Sequence, residues 1–129
     1  MSRESDIHSE IHHLHEKIRE YEKEIDDLME KAQLIEEWQK TIQKDAYEPE
    51  KAYDMTHGGN FIGDLECKAV EYQNQLCKSI QIGQNGTSQL LSDIQRIIEK
   101  IRELIEECNR RISDLEDELE ALSQINVNA

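Results

Sequence analysis

The sequence predicts an all-α, elongated antiparallel helical hairpin of coiled-coil character, and three observations predict it. Apolar residues recur at alternating steps of four and three along both halves of the chain. That is the period of a helix lying along another helix. Composition agrees: 36% hydrophobic and 34% charged residues, only 5% aromatics and a single proline leave little apolar mass for a sheet-based core, but enough for narrow seams. Breakers cluster in the middle, where a hairpin needs its connection. At 129 residues the chain is predicted to form one domain.

The first arm is expected over about 6–44. Ile7, Ile11, Leu14, Ile18, Tyr21, Ile25, Leu28, Ala32 and Ile35 form its stripe, with Ser5 or Asp6 as cap. Beyond Ile35 the apolar phase passes to Trp38 and Ile42, as if the packing partner changes. Residues 45–59 are expected to be the connection. Pro49 disfavours helical geometry in its predecessor, and Gly58 and Gly59 permit unusual dihedrals, so His57, Gly58, Gly59 and Phe61 are the predicted turn.

The second arm is expected from about 60 to 123, with Asn60 as its cap and Phe61, Leu65, Ala69, Tyr72, Leu76 and Ile80 on one face. Gly83 and Gly86 predict a kink or break near 83–86, since each glycine costs about 1 kcal/mol against alanine in a helix. A full reversal there would instead give a three-helix bundle. Leu91, Ile94, Ile98, Ile101, Ile105, Cys108, Ile112, Leu115, Leu119 and Leu122 then resume the three-and-four pattern, and Ile97 and Leu104 widen it. The tail at 124–129 is expected to fray. A continuous second arm would outrun the first by some twenty residues at about 1.5 Å per residue, leaving the stripe over 87–122 in need of cover. Ile94, Ile98, Ile101, Leu104, Ile105, Ile112 and Leu115 are therefore the predicted partner-binding residues, for a helical protein or a second copy.

Charge and motifs narrow the function classes. A formal net charge of −14 argues against binding nucleic acid or an anionic membrane surface. No apolar run approaches the roughly 20 residues of a membrane span. With no apolar leader at the start, a cytoplasmic location is expected, with export lacking a cleaved signal as the alternative. Cys67, Cys77 and Cys108 form no CxxC and read as free thiols. His8, His12 and His15 share one edge of the first arm, with His13 beside them, yet no further pair completes a shell, so no metal or cofactor is expected. His57-Gly58-Gly59 lacks the GxSxG elbow of an esterase, and Gly58 to Gly63 lack a phosphate-loop lysine. Acidic pairs such as Glu16 and Glu20 have no pocket to separate their pKa values. A non-enzyme is expected.

A long heptad helix, a connection, and a second helical arm with the ladder Ile94, Ile98, Ile101, Ile105 and Ile112 resemble the YwqH-like proteins. These belong among the WXG-type small helical proteins of type VII secretion, encoded beside LXG polymorphic toxins. His57-Gly58-Gly59 stands where that group has Trp-x-Gly, with Phe61 and Tyr72 following. The resemblance implies an accessory or chaperone that binds the helical N-terminal targeting domain of a toxin and assists its export. The alternative function is a structural coiled-coil adaptor or oligomerisation module without cargo.

Overall fold

The fold was analysed in a computed structural model, which describes residues 2–52 and 63–128. The chain is an all-α hairpin. Helix α1 spans Arg3–Ile42, a π-helical turn follows at Gln43–Tyr47, α2 spans Glu48–Ala52, and α3 spans Asp64–Asn128. No strand occurs among the described residues. The predicted turn residues His57, Gly58, Gly59 and Phe61, and the predicted cap Asn60, lie outside the described residues.

Ser2 caps α1, not Ser5 or Asp6: its hydroxyl accepts a hydrogen bond from the Ser5 backbone N–H at 3.1 Å, and its carbonyl accepts from Asp6 N–H at 3.2 Å. At the start of α3, the Gly63 carbonyl accepts the Cys67 N–H at 3.2 Å. Gly63 adopts φ +60, a left-handed conformation that glycine alone takes without a steric penalty.

The chain packs as two units. One combines residues up to Met29 with those from Gln95 onward; the other comprises Glu30–Ile94. In the first unit the two arms of the hairpin run antiparallel, Arg3 meeting Glu118 and Glu10 meeting Arg111. Its core is aliphatic: Ile7, Ile18, Ile25, Ile98, Ile101, Ile112 and Leu115 are buried, with Ile7 and Leu115 at 0% exposure. Each such isoleucine or leucine contributes about 1.5–3 kcal/mol by leaving water.

The second unit is held differently. Antiparallel pairing continues from Gln39 opposite Gln84 to Glu50 opposite Gln73, but through amides. Gln39 Nε2 donates to the Gln84 carbonyl at 3.1 Å and Gln84 Nε2 donates to the Gln39 carbonyl at 2.8 Å, a reciprocal pair. Gln39 Nε2 also reaches Ser88 Oγ at 2.7 Å, and Gln73 donates to the Glu50 carbonyl. Each bond to a backbone oxygen is geometrically selective, which makes this polar seam a register lock more than a source of stability.

Three expectations about the elements are corrected. The first arm does not end at 44. Residues 45–52, assigned to the connection, are helical. Pro49 sits at the second position of α2, just after the π turn and within a continuous helical run. The π turn just before it, closed by Glu48 N–H donating to the Gln43 carbonyl, widens the helix where a proline ring would otherwise strike the carbonyl four residues back. The apolar phase slip is not a slip in packing. The covered positions of α1 do not move to Trp38 and Ile42, which are 59% and 44% exposed, but run on through Gln39, Gln43, Tyr47 and Glu50.

Second, α3 runs unbroken through Gly83 and Gly86. No reversal occurs there, so the three-helix alternative does not describe this chain. Third, the covered face of the early part of α3 is not the one expected. An unbroken helix carries the phase of its Ile94–Leu122 stripe backwards, onto Leu91, Thr87, Gln84, Ile80, Cys77, Gln73 and Val70. Of the expected face, Ala69 and Ile80 are half-buried, while Leu65, Tyr72 and Leu76 are left outside at 63%, 69% and 48% exposure.

Candidate functional site

With α1 helical from Arg3, no long overhang of α3 is left bare. Of the seven predicted partner-binding residues, Ile94, Ile98, Ile101, Ile112 and Leu115 are 8% exposed or less, Ile105 is half-buried, and Leu104 stands at the exposed margin at 36%. The stripe is therefore the hairpin's own core and not an available surface. The first arm, helical on to Ala52, is longer than the sequence suggests.

Exposed apolar side chains occur in both units, among them Met29, Ile97, Ile125 and Val127 in the first, but in the Glu30–Ile94 unit they gather around a groove. Trp38 and Ile42 of α1 stand beside an open groove that also takes in Ile35, Gln39, Thr87 and Leu90. Trp38 is the largest exposed side chain of this group, and Leu90 is 48% exposed. Along α3, the exposed positions Tyr72, Leu76, Ser79, Gly83, Gly86 and Leu90 step by four and three, the spacing of a second seam beside the covered one. Gly83 and Gly86 both have open space where a Cβ would project. No neighbour among the described residues requires glycine at either position.

The remaining features are polar and superficial. The Arg3 guanidinium donates from Nε to Glu118 Oε1 at 2.8 Å and from Nη2 to Oε2 at 2.9 Å. This hydrogen-bonded contact holds the Glu118 carboxyl below the usual range and raises Arg3. Arg111 pairs with Glu10 at 3.0 Å, and Asn126 donates to Glu4 at 2.9 Å. Both ion pairs are exposed, so they orient the helices more than they stabilise them. His8, His12, His13 and His15 are exposed, and His12 Nε2 lies 3.1 Å from Glu16 Oε1. Among the described residues no group of three His, Cys, Asp or Glu is placed to hold a metal. Cys67, Cys77 and Cys108 are free thiols. Lys51 lies 5.8 Å from the centre of the Tyr47 ring, a cation–π contact between the π turn and α2.

Sequence reasoning named Trp38, Tyr72 and Leu76 but placed all three in packing roles. The signal that would have found the exposed face was charge. Between Glu71 and Asp93 the single charged side chain is Lys78, in a chain that is 34% charged. No helix among the described residues is long and apolar enough to cross a membrane. No family model, curated protein or solved structure matches the chain.

Proposed function

We propose that this chain is a non-enzymatic helical accessory, of the kind that binds the helical N-terminal domain of an LXG-type toxin for type VII secretion. One observation supports it most: a helical hairpin whose own core is closed still leaves Trp38, Ile42, Leu76 and Leu90 in water on one unit. Exposed aromatic and aliphatic side chains around a groove are the usual means of taking up an amphipathic helix. The heptad plan and the isoleucine ladder, through which the chain resembles the YwqH-like proteins, support the choice of partner class. In this reading the helical cargo meets the Trp38–Leu90 groove, while Ile94 to Leu115 hold the accessory itself together.

The test is co-expression with the N-terminal helical domain of an LXG toxin encoded beside this chain. Co-purification is expected, and its loss in Trp38→Asp combined with Leu90→Asp, with the helical circular dichroism signal retained. Absence of any complex with the unmodified chain would overturn this reading.

A further inference from the structure

The two units differ in what fills their seams, and the difference points to a conformational device. We infer that the Glu30–Ile94 unit opens as a separate cooperative body while the first unit stays folded, with the Gln39–Gln84 amides as its latch. The inference concerns the chain alone and stands whatever the exposed groove takes up.

Burial carries the argument. Among the described residues every buried apolar side chain except Ile94 belongs to the first unit, and Ile94 is the last residue of the second. The rest of the second seam is at most half-buried, Ile35, Tyr47, Val70, Ile80 and Leu91 included. An apolar seam gains in proportion to the area it removes from water, whereas an amide bonded to a carbonyl replaces a bond already made to water. Gln39, Gln73 and Gln84 therefore align the second unit while adding little against the entropy of ordering it. Local propensity adds nothing further. Gly83 and Gly86 stand inside α3, and the π turn at Gln43–Tyr47 interrupts regular α-helix on the other arm.

Opening of this unit is cooperative, because a helical arm draws most of its stability from packing and melts when its partner leaves. It costs the first unit little. The arms of that unit would be joined by a longer flexible loop, and closure cost rises only with the logarithm of loop length. Their ties, Arg3 to Glu118 and Glu10 to Arg111, lie wholly within it. The latch also governs the exposed groove. Ile35, Trp38, Gln39 and Ile42 come to it from α1, Thr87 and Leu90 from α3. A groove made by both arms exists only while the unit is closed, so opening takes the groove away.

The test is amide hydrogen exchange of the full chain, resolved by residue under native conditions. Residues 35–43 and 73–87 are expected to show protection about a hundredfold below that of residues 11–25 and 98–112. Gln39→Ala with Gln84→Ala should lower protection in the second unit by about tenfold. Ile112→Val, in the first unit, should lower protection there by about fivefold and leave residues 35–43 and 73–87 unchanged, since their opening does not disturb Ile112. Equal protection in the two units overturns the inference, as does an Ile112→Val variant that lowers both alike. A glutamine-pair variant with unaltered protection in the second unit overturns the latch.

Discussion

At the scale of residues, the glycines of α3 show how far local propensity can mislead. Gly83 and Gly86 read as a kink or break because each weakens a helix by about 1 kcal/mol. The helix nevertheless continues, since burial of Ile80 on one side and Leu91, Ile94 and Ile98 on the other fixes the phase through the weak point. Propensity is a small prior that tertiary packing overrides. A Cβ at either glycine would meet open space. Gly83→Ala and Gly86→Ala should therefore each raise the unfolding free energy, by up to about 1 kcal/mol, in denaturant titrations on dilute protein. Lower stability in either variant would mean that the helix is locally distorted there. Gly63 is the opposite case: its φ of +60 strains any side chain, whatever the space around it.

At the scale of elements, the α1 stripe from Ile7 to Ile35 was legible because every member is apolar or nearly so, and the structure covers each one. Legibility ended where the seam turned polar. Gln39, Gln43, Gln73, Cys77, Gln84 and Thr87 occupy covered positions that hydrophobicity does not mark, while Trp38, Tyr72 and Leu76 look like core and are exposed. Pro49 hid the last helical turns for a related reason. A proline reads as a breaker, yet the π turn ahead of it accommodates the ring. The reciprocal Gln39–Gln84 amides define the register of this unit. Gln39→Ala and Gln84→Ala should each cost about 0.5–1.5 kcal/mol. Because each side chain bonds the other residue's backbone carbonyl, which alanine keeps, either substitution leaves the other bond's partners in place, and a double-mutant cycle should give nearly additive losses. A coupling energy clearly different from zero would show that the two bonds form only together.

At the scale of the molecule, the apolar stripe was legible and the helix that covers it was not. Sequence showed an apolar stripe that needs cover, and in the unit of residues up to Met29 and from Gln95 onward its cover is α1, with Arg3 opposite Glu118. What remains available to another protein is the groove around Trp38 and Leu90, together with the charge-poor face of α3. The central claim is that Ile98, Ile101, Ile112 and Leu115 close the chain's own hairpin, and Ile101→Asp tests it most directly. A carboxylate at a position 8% exposed must be desolvated without a partner or must open the seam. Either way the cost is several kcal/mol, a large part of the roughly 5–15 kcal/mol that holds a domain folded. Thermal melting of the isolated chain, followed by circular dichroism, is predicted to show early unfolding and lost helicity in this variant. A variant that keeps its full helical signal and its melting temperature, and fails only to associate with another chain, would contradict the account.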